Sequence, residues 1–139
     1  MTSSEINKAV VKNCFDKASH GRFDALRDIV TEDYILQPEG ARGADGLQQM
    51  VEGYRAAFSG LTVTVEHQFA EGDHVATRFT LCGRHDGELM GFPATRNEVE
   101  VSGLTISRCR GGRIEAEWEL VDVPGLLAQI GALPEPAAS

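Results

Sequence analysis

The run Val99–Gly131, VEVSGLTISRCRGGRIEAEWELVDVPGLLAQIG, decides how this chain is read. It spells a strand, a tight Gly111-Gly112 turn, a second strand and a short apolar helix. Successive side chains on a strand point to opposite faces. Strict alternation therefore puts Ile114, Ala116, Trp118 and Leu120 on one side and Glu115, Glu117 and Glu119 on the other. An antiparallel sheet often leaves one face in water, so the acidic face is either solvated or lines a site. Asp122 precedes Val123-Pro124 and is placed to cap the final helix, because proline suits the first helical positions.

The same reading extends towards the N-terminus. Thr2 followed by Glu5 has capping-box spacing, and Ile6, Ala9, Val10, Cys14 and Ala18 recur at helical intervals until Gly21 offers a stop. Phe23, Leu26, Ile29 and Val30 predict a second, short helix, and Tyr34-Ile35-Leu36 a brief strand closed by Gln37-Pro38-Glu39-Gly40. Leu47, Met50, Val51, Tyr54, Ala57 and Phe58 mark a third helix that Ser59-Gly60 breaks. From Thr62 to Phe69 the pattern alternates, with Val63, Val65, His67 and Phe69 on one face. Glu71-Gly72-Asp73 then turns the chain into Val75, Thr77, Phe79 and Leu81, which completes a hairpin. Residues 86–96 carry Gly87, Gly91 and Pro93 and read as a loop at a cavity mouth, ahead of a long strand from Glu98 to Cys109. Helices first and a strand meander afterwards predict an α+β fold, with N-terminal helices packed on one face of a curved, mostly antiparallel sheet. The tail 135–139 reads as frayed.

With 139 residues the chain fits one domain, spanning 1–139, that can bury its own core. Its formal charge of -8, with no block of Lys or Arg, argues against nucleic acid or an anionic membrane as partner. Cys14, Cys82 and Cys109 are odd in number, lie far apart, and read as small core side chains in a reducing cytoplasm. No basic-then-apolar leader and no apolar run of bilayer length is present. His20, His67 and His74 show no metal-ligand spacing, and no dinucleotide or phosphate-binding fingerprint occurs, so neither metal nor organic cofactor is expected.

Three short runs carry a resemblance: Glu71-Gly72-Asp73 before a strand; the stretch Gly83-Arg84-His85-Asp86-Gly87-Glu88-Leu89-Met90-Gly91-Phe92-Pro93-Ala94-Thr95; and Gly112-Arg113-Ile114, leading through Trp118 to Gly125–Gly131. Together they resemble the SnoaL-like polyketide cyclases over almost the whole chain. The resemblance implies the cone-shaped α+β barrel of the nuclear-transport-factor-two-like superfamily. In the aromatic polyketide cyclases an aspartate on the last strand is the acid/base of an aldol ring closure, and its counterpart here is Glu119. The histidine and glutamine of the preceding strand correspond to Thr105 and Gly103, and an asparagine after the early strand corresponds to Leu36 or, one residue on, Gln37. Relatives from anthracycline pathways that hydroxylate the polyketide form a second branch, and the changed cavity polarity leans towards it.

The site expected on this basis has Glu119 as the proton-transfer group. Its neighbour Glu117 on the same face raises its pKa by like-charge repulsion. His85, at a strand end beside the glycine-rich loop, is placed to contact a substrate oxygen or shuttle a proton, or else is a surface or capping histidine. Tyr34, Leu36, Tyr54, Phe79, Met90, Phe92, Gly103, Thr105 and Glu117 are the expected substrate contacts. The expected activity is cofactor-independent hydroxylation of a polycyclic aromatic polyketide, with a separate reductase as a candidate partner. Aldol cyclisation and non-catalytic ligand binding are the alternatives. An inward Glu119 leaves Leu104, Ile106 and Trp118 outside, which predicts a homodimer through that sheet face.

Overall fold

The computed structural model describes residues 2–132, and the tail 135–139 lies outside the described residues. In chain order the elements are α1 (Ser3–Ser19), a 3₁₀ turn (Phe23–Ala25), α2 (Leu26–Ile29), β1 (Val30–Gln37), β2 (Ala41–Arg42), α3 (Gly43–Ala57), β3 (Phe58–Glu71), β4 (His74–His85), β5 (Glu98–Arg110), β6 (Arg113–Val121) and α4 (Val123–Gln129). The six strands form one sheet in the order β2-β1-β6-β5-β4-β3. Every pairing is antiparallel except β1 with β6, so the early strand is inserted beside the last one.

Helices α1 and α3 pack against the inner face of this sheet, and α4 packs against β5. Val11, Cys14, Leu26, Tyr34, Leu36, Leu47, Val75 and Ile114 make the main core, and Phe58, Val99, Val101, Leu126 and Ile130 a second one under α4. The predicted caps are present. Thr2 and Glu5 close the capping box on α1, and Asp122 accepts from the Gly125 N–H at 3.0 Å. Gly111 and Gly112 both take positive φ, which lets the two-residue turn join β5 to β6 without splaying them.

Two bulges correct the strict alternation. In β6, Arg108 pairs with Ala116 but Cys109 with Ile114, so Glu115 is an extra residue. Ile114 consequently faces inward with Glu117 and Glu119, while Glu115 pairs with Arg108 at 2.7 Å and Arg110 at 2.6 Å. In β3 the pairings Val65–Phe79 and His67–Arg78 leave Glu66 unpaired. Val63 and Val65 therefore keep to the inner face while Phe69 stands 72% exposed on the outer one, and Gln68 turns inward to donate to the Lys8 carbonyl and to Thr77.

The third helix ends at Ala57 and Phe58 already begins β3, so Ser59-Gly60 lies within a strand. The second helix is a single turn, and Val30 opens a β1 longer than the expected three residues. Cys14 and Cys109 are buried, whereas Cys82 is only half-buried, opposite Thr62 and Glu100.

Candidate active site

The Glu115 bulge aligns two carboxylates with two hydroxyls. It brings Thr105 opposite Glu119 and Ser107 opposite Glu117, on the face that the helices cover. Glu117 is buried, and both of its oxygens are satisfied. The Tyr34 hydroxyl donates to Oε1 at 2.6 Å and the Ser107 hydroxyl to Oε2 at 2.6 Å. Burial raises the Glu117 pKa, and these two donors pull it back.

Glu119 receives one hydrogen bond, from the Thr105 hydroxyl at 3.1 Å. Its carboxyl is pushed up to about 7, first by burial and then by the Glu117 charge, with Glu39 adding to the rise and Thr105 opposing it. A carboxyl poised there can take or give a proton near neutral pH. Burial, with Glu119 nearby, also raises Tyr54, and burial with Glu117 nearby raises Tyr34.

Two hollows of about 70 Å³ each meet at Glu119. The first is almost wholly apolar and is walled by Phe15, Tyr54, Val63, Phe79 and Leu81; the second is walled by Cys14, Leu36, Leu47 and Glu117. Phe15, Ala18, Met50 and Val51 from the two helices border both. Of the expected substrate contacts, Leu36, Tyr54, Phe79 and Glu117 therefore line this cavity, and Thr105 holds Glu119 from the strand beside it.

Four expectations are corrected. Tyr34 has no exposed surface and serves Glu117 rather than a ligand. Gly103 opens no space, because a β-carbon there would collide with the Phe79 ring that lies across it. Met90 and Phe92 are 59% and 38% exposed, on a loop that hydrogen-bonds through Asp86 and Gly87 to the end of α3, and they line neither hollow. His85 also lines neither. It is fully buried against Phe58, its Nδ1 receives the Thr95 N–H at 3.3 Å and meets the Thr95 hydroxyl at 2.9 Å, and its Nε2 has no partner among the described residues. Met50 and Val51, which the sequence marked only as helix-face apolar residues, are walls as well, beside Phe15. Ser107 was not singled out at all.

A wider groove of about 760 Å³ between Ser59, Cys82, Arg84 and Glu100 is open to solvent, and none of the acids and bases lining it is buried. Among the described residues no three metal-ligating side chains cluster, and no helix is long and apolar enough to cross a membrane.

A cone of sheet is thus closed by two helices over two neighbouring carboxyls whose pKa values burial raises. Residues 9–130 match the family model of the SnoaL-like polyketide cyclase, and the chain belongs to that family. Nogalonic acid methyl ester cyclase of Streptomyces nogalater is 29% identical over 116 residues, covering 80% of this chain and 87% of the relative. Aklanonic acid methyl ester cyclase DnrD of Streptomyces peucetius is 26% identical over 129 residues, covering 88% of each. AclR of Streptomyces galilaeus, a candidate hydroxylase, superposes with a TM-score of 0.83 at 24% identity over 96% of this chain and 86% of its own, a likeness of fold.

Proposed function

We propose that this protein closes a ring in an aromatic polyketide of the anthracycline type by an intramolecular aldol reaction, with Glu119 as its acid/base. The observation that carries the reading is the position of Glu119. It is the acid common to both hollows, half-buried, with its carboxyl pushed up to about 7. As a carboxylate, Glu119 removes a proton from a methylene activated by a neighbouring carbonyl. The carbanion attacks a second carbonyl of the same molecule, and the proton held by Glu119 returns to the new alkoxide. Atoms and charge balance without an oxidant, and the product is an isomer of the substrate. Glu117, fixed by Tyr34 and Ser107, keeps the proton affinity of Glu119 high enough for the return step.

The names of the two cyclase relatives support ring closure over hydroxylation. Hydroxylation is the second reading, favoured by Thr105 and Gly103 standing where the resemblance puts the cyclases' histidine and glutamine. In it Glu119 deprotonates a phenol or quinol, and the anion reacts with oxygen, a separate reductase supplying electrons. Incubation with nogalonic acid methyl ester in air and under argon, followed by mass analysis, separates the two. An isomer formed in both atmospheres supports the aldol reading. A product heavier by one oxygen, formed only in air, replaces it with hydroxylation, and no turnover on any polyketide precursor leaves ligand binding.

The working form in this proposal is a homodimer in a reducing cytoplasm. Leu104, Ile106 and Trp118 are 57%, 48% and 38% exposed, and with Leu120 and Ala76 they border one apolar groove on the outer face of the sheet. A contiguous patch of this kind is unusual on a monomer.

A further inference from the structure

The volumes around Glu119 set a problem that the fold itself answers. An apolar cavity of about 150 Å³ takes one benzene ring, and sites for drug-sized ligands run to roughly 300–1,000 Å³. Each hollow here is about 70 Å³, so neither admits even one aromatic ring as it stands. Glu119 and Thr105 also border the groove of about 520 Å³ beside Trp118, the face that the proposed dimer covers; from the helix side, a ligand reaching Glu119 must displace a wall that the two hollows share.

The sheet side cannot give way. The Phe79 ring is buried, and its far edge sits over the backbone of its pairing partner Gly103, in a recess that exists only because residue 103 has no side chain. Ala18 offers nothing to rotate. On the helix side, Phe15 stands over Phe79 with ring centroids 5.0 Å apart and planes tilted by 43°. It borders both hollows and is only half-buried, so its ring has solvent to turn towards. Met50, the next wall, is unbranched and adapts to what replaces it.

We propose that Phe15 is the specificity-determining partition of this cavity: a ligand ring enters by displacing Phe15 and takes its place against Phe79 in the Gly103 recess. The ligand this arrangement takes is a flat, fused-ring aromatic with a hydroxyl or carbonyl at its edge towards Glu119. Gly103, absent as a contact, acts as the seat that keeps Phe79 folded back. This inference rests on the reading of the Glu119 cavity as the substrate site, but it is tested by binding alone.

The test uses two probes, 2-naphthol and 1-hydroxyanthraquinone, titrated calorimetrically into the wild type and into Phe15→Ala, Phe15→Leu and Gly103→Ala. Phe15→Ala should bind the three-ring probe at least tenfold more tightly than wild type, with a smaller gain for the two-ring probe and Phe15→Leu in between. Gly103→Ala, which drives the Phe79 ring into the hollow, should weaken both. Circular dichroism confirms that each variant is folded. Unchanged affinities in both Phe15 variants, or an equal gain for the two probes, would overturn the proposal. Failure of the wild type to turn over polyketides, with the size preference intact, would count against the proposed function only.

Discussion

The Tyr34 hydroxyl and the Glu117 carboxylate, 83 residues apart in the chain, meet at 2.6 Å with no exposed surface on the tyrosine. The contact follows from the insertion of β1 beside β6 in the only parallel pairing among the described strands. It ties the N-terminal half to the strand that carries the candidate acid/base. A buried carboxylate is tolerable only when its lone pairs are satisfied, and here Ser107 supplies the second donor.

Removing one donor therefore destabilises the fold more than an exposed hydroxyl would. Tyr34→Phe should lower the unfolding free energy by about 1–3 kcal/mol, the cost of leaving part of a buried polar group unpaired. Ser107→Ala should cost a similar amount. Because both act on one carboxylate, the double variant should depart from additivity. Urea denaturation of the four proteins measures this, and a loss confined to a few tenths of a kcal/mol would mean the carboxyl is hydrated.

Glu117→Gln keeps the shape of the network and removes the charge that helps raise Glu119. The Glu119 carboxyl should then titrate below its value of about 7, towards the ordinary range. Tyr34, Tyr54, Cys14 and Glu39 also face the pair, and the first three carry no charge near neutral pH. Carbon-13 NMR of labelled glutamate reads the titration directly, and an unchanged midpoint would leave burial as the sole cause.

Stability should also depend on pH with a definite sign. The folded Glu119 holds its proton up to about pH 7, whereas the unfolded side chain loses it near 4.5. The stabilisation from this raised affinity is complete below 4.5 and is lost as pH rises through 7, a change on the order of 3 kcal/mol. Glu119→Gln should remove that slope and gain on the wild type above pH 7. Parallel stability profiles at pH 5 and pH 8 would contradict a buried, raised carboxyl.

Much of this was legible in the sequence, and the part that was not has a physical cause. Alternation and the glycine turns gave the hairpins, and the direction of Glu119 was correctly tied to exposure of Leu104, Ile106 and Trp118. Counting back from the Gly111-Gly112 turn without a bulge, however, pairs Thr105 with Trp118 and Ser107 with Ala116. Only the extra residue at Glu115 shifts the register by one and sets hydroxyls against carboxylates. No residue type announces such a bulge, and the extra Glu115 takes its partners, Arg108 and Arg110, on the outer face. The second bulge, at Glu66, hides the departure of His67 and Phe69 from the Val63 face in the same way. His85 misled because a place at a strand end beside a glycine-rich loop does not say that the ring turns into the core beside Phe58.

The exposed apolar face gives a separate prediction. Ile106→Glu or Trp118→Glu places a charge in the middle of the patch, where a dimer would have to desolvate it. Either variant should sediment as a monomer at micromolar concentration and stay folded, while the wild type sediments as a dimer. A monomeric wild type would mean the patch serves another purpose.

The central claim is that Glu119 moves the proton, and the comparison of wild type with Glu119→Gln on nogalonic acid methyl ester, over pH 5 to 9, tests it most directly. A positioned acid/base side chain contributes roughly 100- to 10,000-fold. The wild-type kcat should rise with pH through about 7, and the Gln variant should lose turnover by that factor while binding ligand as before. A Gln variant with full activity and the same pH dependence would contradict the account.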